Sequence, residues 1–336
     1  MKLVFLISLA SIISVGMLTG IIKYYCESWG MIDIPNERSS HSLPTPTGGG
    51  VSVVLLFTLI SLALDYSKII QFDNLTILLL PSIMVAMIGF IDDLNHVPAF
   101  WRLLVHFLSA ILFLNSLGGF PPLDIGGLTI DLGWFGYVFG SLYLVWLLNL
   151  YNFMDGIDGI SSIGAITVCV SIIFIMIQQN IPLKHWVVPL LLASTVGGFL
   201  FWNFPVAKIF MGDGCSGFLG FTIGLFSIQA AQVMPQMFWV CIVLLAVFIV
   251  DATYTLMRRI ITGQKFYKAH NEHAFQIASR RHSHVKVSLI VGLINIVWLL
   301  PIAYMISTKN INALVGVIIA YLPLIGLEIF IKNEKK

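Results

Sequence analysis

Long apolar stretches separated by short polar connections run through the whole chain. The first, Leu3 to Ile22, is close to the roughly 20 residues that a bilayer-spanning helix needs. No small-residue cleavage pattern follows a short apolar core, so a retained first helix is expected rather than a signal peptide. Further apolar segments fall at about 49–65, 74–91, 101–118, 134–151, 160–178, 186–204, 215–233, 237–257, 286–307 and 312–331. This pattern predicts an all-α, polytopic transmembrane helix bundle of about eleven spans. An odd number puts the termini on opposite sides. With the N-terminus outside, Lys2, Lys68, Lys184 and Lys309 are the outer cations, while the other fourteen Lys and Arg residues lie on the inner side. The positive-inside rule then gives a cytoplasmic C-terminus. Connections are mostly short, so residues 1–336 are expected to form a single integral membrane domain.

Composition strengthens this picture and removes others. With 58% hydrophobic and 10% charged residues, and a mean hydropathy of +0.94, the chain has too little polar surface for a soluble globule, and the lipid bilayer is its first partner. The net charge of +2 follows from topology and gives no reason to expect nucleic acid. Cys26, Cys169, Cys215 and Cys241 are scattered, without metal-ligand spacing or a plausible disulfide framework. Residues 119–133 alternate weakly around Gly126-Gly127, as in a small hairpin. The pairs Gly16/Gly20, Gly136/Gly140 and Gly220/Gly224 suggest close helix contacts within the bundle or with a second copy, as in a homodimer.

The acids carry the chemistry. A carboxylate at membrane depth is costly unless it faces a cavity, pairs, or binds a cation. Asp92, Asp93, Asp155, Asp158 and Asp213 all fall at predicted inner ends of spans, so a bundle could gather them around one mouth that demands a cation. Asp92 and Asp93 close the third span, where the helix dipole disfavours acids. Asn149, Asn152, Asp155 and Asp158 recur every three residues, and an unbroken helix would turn the first and last to opposite sides. A break at Gly156 and Gly159 would let all four line one pocket. Asp213, between Gly212 and Gly214, opens a span in the manner of a cap, or of a turn open to phosphate. The basic connection 258–285 carries His270 and His273, donors suited to a diphosphate; their spacing is not that of a His-Glu-x-x-His zinc site. Ahead of the second span, Pro44-Thr-Pro46-Thr-Gly48-Gly-Gly50 reads as a shaped loop with approachable backbone amides, or as a plain connector.

Taken as a set, these motifs resemble the polyprenyl-phosphate N-acetylhexosamine-1-phosphate transferases, glycosyltransferase family 4, from about residue 30 to 290. The run Phe266 to Gln276 is most similar to the O-antigen-initiating branch. The resemblance implies transfer of a sugar-1-phosphate from a UDP-N-acetylhexosamine to undecaprenyl phosphate, with release of UMP, at the cytoplasmic face of a bacterial inner membrane. It implies Mg2+, or Mn2+ in its stead, on Asp213 with Asn152 nearby. It puts Asp92 and Asp93 near the lipid phosphate, assigns Asn149, Asp155 and Asp158 to the nucleotide-sugar, and makes His270 and His273 part of a loop closing over the donor. Two departures stand out: Thr47 where Arg or Lys is expected, and Asn271-Glu272 where Arg-Ser is usual. The alternative from another class is a secondary transporter of a phosphorylated or anionic solute. It would set its acids near the midplane between repeated halves, and Asp251 alone suits it.

Overall fold

A computed structural model describes residues 2–35, 39–70, 72, 75–265 and 270–333. Arg38, Lys268, Lys335 and Lys336 of the charge asymmetry lie outside the described residues, as does 266–269 of the loop motif. The chain is almost entirely helical: α1 (Lys2–Trp29), α2 (Val51–Tyr66), α3 (Leu75–Leu94), α4 (Ala99–Leu117), α5 (Phe135–Met154), α6 (Ile160–Gln178), α7 (Leu183–Asn203) and α8 (Asp213–Val233). There follow α9 (Gln236–Leu244), α10 (Ala246–Ile261), the short α11 (Ala274–Arg281), α12 (His284–Ile294), α13 (Leu300–Ser307) and α14 (Ala313–Asn333). A π-helical turn, Asn295–Leu299, joins α12 to α13 in one continuous helix.

Among the described residues, nine helices are long and apolar enough to cross a membrane, or ten if α9 and α10 count as one span bent by 69°. Two of the eleven expected spans therefore differ from a simple crossing. One is that bend, at Leu245. The other is α2, whose 16 residues reach about 24 Å, short of a hydrocarbon core of about 30 Å. The molecule is a multi-pass membrane protein.

At the centre stands α8, packed between α3 and α5, with α1 laid along α7. Small residues permit this closeness, as in membrane helix pairs generally. A β-carbon on Gly220 would meet the Leu147 carbonyl oxygen at 2.5 Å, and one on Gly198 the Ile12 carbonyl oxygen at 2.4 Å. All three Gly-x-x-x-Gly pairs find their close neighbours inside the chain, which removes them as grounds for a homodimer. Hydroxyls tie the helices together where no water can: Thr222 donates to Ser82 (3.1 Å), and Thr19 shares a hydrogen bond with Ser52 (2.7 Å).

Two small antiparallel pairs complete the fold. β1 (Ile32–Asp33) joins β2 (Thr45–Pro46), and β3 (Leu123–Ile125) joins β4 (Leu128–Ile130). The second is the expected hairpin. Gly126 and Gly127 turn it at φ +66° and +89°, which residues with a β-carbon rarely adopt.

Candidate active site

Three connections meet at one end of the bundle. The segment carrying β2 docks on the 205–212 connection through its backbone: Phe210 N–H donates to Pro46 O (2.8 Å), Gly49 N–H to Phe210 O (2.9 Å) and Gly50 N–H to Met211 O (3.0 Å). The Gly49 and Gly50 amides, expected to be approachable, are thus taken up by carbonyls. These glycines serve contact instead, since a β-carbon on Gly50 would lie 2.1 Å from that of Cys215.

Beside this junction opens a cavity of about 220 Å³. Asn152, Asp155 and Asp158 reach it from the α5–α6 turn, Asp213 from the start of α8, Asp33 and His41 from the segment ahead of α2, and Gln276 and His284 from the C-terminal third. The turn is built as the glycines suggested. α5 stops at Met154, and Gly159 enters α6 at φ +74°, its N–H donating to Asn203 Oδ1 (2.9 Å). Asn203 in turn donates to Ile209 O (3.1 Å), tying the turn to the 205–212 connection. Asp158 is held by His284 Nδ1 at 3.3 Å, and its carbonyl accepts from Ser288 (2.8 Å). Asn149 does not join the others: one turn back inside α5, its amide donates to Val145 O (2.7 Å).

Asp213 is the exposed acid of the group and forms no ion pair with any described residue. Its aim is set from behind. Asp93 accepts the N–H groups of Asp213 (2.9 Å) and Gly214 (3.2 Å), so a carboxylate from α3 caps the positive end of α8. Asp92, its neighbour, is turned elsewhere. It accepts Val97 N–H (2.8 Å) and pairs with Arg102, closing the α3–α4 turn outside the cavity lining.

The lining is rich in oxygen ligands and holds no thiol. Among the described residues, no three His, Cys, Asp or Glu side chains enclose a metal by themselves. Asp213 and Asn152 both line the cavity, and their side-chain oxygens could hold an oxygen-preferring cation there.

Asp155 lines the cavity and is half-buried. That burial, added to by the charges of Asp213, Asp93 and Asp158, pushes its carboxyl up to about 7 from 3.8. Between those values the folded protein keeps a proton that the unfolded chain has released, so stability falls as pH rises through this window and levels off above it. Asp155→Asn is expected to remove its share of the slope and so to flatten it. Thermal unfolding in detergent at about pH 5 and about pH 8 checks this: the variant should gain on the wild type at the higher pH.

A second polar assembly lies beside the cavity and holds both predicted histidines, neither of which lines it. Asp251, from α10, accepts Ala274 N–H and Phe275 N–H (each 3.1 Å) and contacts His273 Nδ1 at 3.0 Å. It thereby fixes the start of α11, whose Gln276 reaches the cavity. His270 stacks on His273 with ring centroids 5.0 Å apart. Burial lowers the His270 pKa to about 4, so its ring is neutral at physiological pH. Glu272 pairs with Arg259 at 3.0 Å, meeting inside the chain the charge that its departure from the motif introduced. Asp251 is thus an anchor for the loop. A buried acid within an apolar segment was the available signal, and its partner 22 residues away was not. Asp33, His41, Gln276 and His284 were passed over because nothing local in the sequence ties them to the acids.

The family model for glycosyl transferase family 4 matches residues 75–231, the stretch that supplies Asp93, Asn152, Asp155, Asp158 and Asp213. Among similar proteins, a probable undecaprenyl-phosphate N-acetylglucosaminyl 1-phosphate transferase of Bacillus subtilis (strain 168) is 26% identical, over 85% of this chain and 81% of its own length. A decaprenyl-phosphate N-acetylglucosaminephosphotransferase of Mycobacterium tuberculosis (strain ATCC 25618 / H37Rv) is 26% identical, over 86% of this chain and 79% of its own length. The phospho-N-acetylmuramoyl-pentapeptide-transferase of Petrotoga mobilis (strain DSM 10674 / SJ95) reaches 30% identity over 75% of this chain and 81% of its own length. Similarity of that extent, over the helices that carry the cavity acids, makes the chain a member of glycosyl transferase family 4.

Proposed function

We propose that the cavity transfers an N-acetylhexosamine-1-phosphate from a UDP-sugar to undecaprenyl phosphate, giving undecaprenyl-diphosphate-sugar and UMP. The step would initiate a cell-surface polysaccharide such as O-antigen, at the cytoplasmic face of a bacterial inner membrane. One observation carries this reading: Asp155, Asp158, Asp213 and Asn152 face a single cavity at one end of an apolar bundle. A water-soluble nucleotide and a lipid-borne phosphate can meet there. The polyprenyl-phosphate substrates in the names of the relatives support the same reading.

Asp213 and Asn152 would hold Mg2+, or Mn2+, which when bound neutralises phosphate charge and polarises the phosphoryl oxygen. Asp158, steadied by His284, offers fixed acceptors to the donor's sugar or base. Asp93 aims the first turn of α8 at the phosphates. The lipid phosphate is a monoester already ionised at neutral pH, so it needs no base. Its oxygen bonds to the sugar-bearing phosphorus while the bond from that phosphorus to UMP breaks in line.

Mass analysis of lipid extracts from membranes given undecaprenyl phosphate, Mg2+ and a panel of UDP-N-acetylhexosamines tests the proposal. One donor is expected to yield polyprenyl-diphosphate-sugar and UMP in equal amounts, with loss on chelation and recovery on adding Mg2+. No product from any donor would overturn it.

A further inference from the structure

The last helix, α14, is lipid-like for most of its length, with most of its residues exposed on the outside of the bundle. Its C-terminal turn is different. Glu328 and Lys332 are 6% and 2% exposed, one turn apart, with Lys332 Nζ 2.9 Å from Glu328 Oε2. A buried ion pair seldom adds stability over well-packed apolar side chains, so its presence at this depth calls for another explanation.

The contacts of Lys332 give one. Its ammonium lies 4.9 Å from the centre of the Tyr254 ring and donates to Thr255 Oγ1 at 2.5 Å. The Thr255 hydroxyl donates in turn to Asp251 Oδ1 (3.1 Å). That carboxylate then receives the Ala274 and Phe275 amides and His273 Nδ1. Ammonium, hydroxyl and carboxylate are polarised in one direction, an arrangement in which each hydrogen bond strengthens the next. The line begins on the final helix and ends on the loop whose Gln276 reaches the cavity. Arg259, the other cation nearby, is committed to Glu272 and to the Lys265 carbonyl (3.0 Å each).

We infer that Lys332 is a positioning residue: through Thr255 and Asp251 it sets the start of α11, and with it the His270–His273 loop, against the cavity. The inference rests on the transfer reaction proposed above only for its kinetic consequence. The tie itself is independent of the reaction.

Hydrogen exchange on the intact protein in detergent tests the tie, and kinetics test its use. Lys332→Met is expected to speed exchange of the Ala274 and Phe275 amides by about ten-fold or more. It should raise KM for the UDP-sugar by about ten-fold while KM for the lipid acceptor moves less than about two-fold. Lys332→Arg, which keeps the charge and can reach Thr255, should restore both. Should loss of the lysine prevent folding, Lys332→Met with Glu328→Leu removes both charges together and should give the same two changes. A folded variant with wild-type exchange at these amides overturns the inference. Equal rises in both KM values would overturn it too, since they indicate general disruption. If the wild type transfers no sugar at all, the proposed reaction fails while the exchange result still decides the tie.

Discussion

Asp213→Asn is expected to lower sugar-phosphate transfer by about a hundred-fold or more, with little change in stability. The change removes one charged oxygen from the position proposed above to hold the cation, where several kcal/mol of charge stabilisation would be at stake, and each tenfold in rate corresponds to about 1.4 kcal/mol. The structural cost is small. Asp213 forms no ion pair with any described residue, and its N–H stays bonded to Asp93. What the fold loses is an acid in the first turn of α8, about 0.3–1 kcal/mol. Asp92→Asn should show the reverse balance. Its carboxylate binds Val97 N–H and Arg102 rather than the cavity, so stability should fall and transfer should follow only as folded protein is lost. Turnover per folded molecule, taken with the melting temperature of each variant in detergent, separates the two. Equal loss of turnover in both would show that the two acids are not divided as the geometry divides them.

Gly50→Ala is expected to destabilise the whole protein, by about 3 kcal/mol or more, because neither neighbour can give way. The new methyl would lie 2.1 Å from the Cys215 β-carbon and 2.8 Å from the Met211 carbonyl oxygen, one fixed to α8 and the other part of the backbone. The start of α2 would have to retreat from α8, breaking the Gly50 N–H bond to Met211 that helps frame the cavity. Gly326→Ala on α14 is the control, since a β-carbon there meets nothing within 4 Å. It should hold or slightly raise the melting temperature, as alanine is the better helix former. Melting both variants in detergent checks the contrast, and an unshifted Gly50→Ala would contradict the packing described at that contact.

Much of this architecture is legible in the sequence because it is written locally. Apolar runs mark the helices, and Gly159 after an Asn/Asp series marks the turn that brings Asn152, Asp155 and Asp158 together. What escapes is whatever depends on a distant partner. Three-residue spacing grouped Asn149 with the acids, yet α5 remains helical as far as Met154 and leaves Asn149 a turn behind. Asp92 and Asp93 are adjacent and look equivalent; Arg102 claims one, and the amides of α8 claim the other. The amides of Gly49 and Gly50 looked open because nothing nearby in the sequence announces the carbonyls of Phe210 and Met211. The bend at Leu245 carries no proline or glycine to reveal it. His270 and His273 stack on one another away from the cavity lining, and what holds their loop, Asp251 and then Lys332, comes from two other helices.

The central helix has one more implication. Almost every residue of α8 is enclosed by protein, while its mean hydropathy is among the lowest of the long helices. Such a segment gains little from hydrocarbon and much from its neighbours. Both principal neighbours, α3 and α5, lie earlier in the chain and so leave the ribosome first. Biogenesis from the N-terminus therefore supplies a ready berth for the segment that bears Asp213, and the cavity acids are gathered as α8 lodges, before Gln276 and His284 arrive to complete the lining.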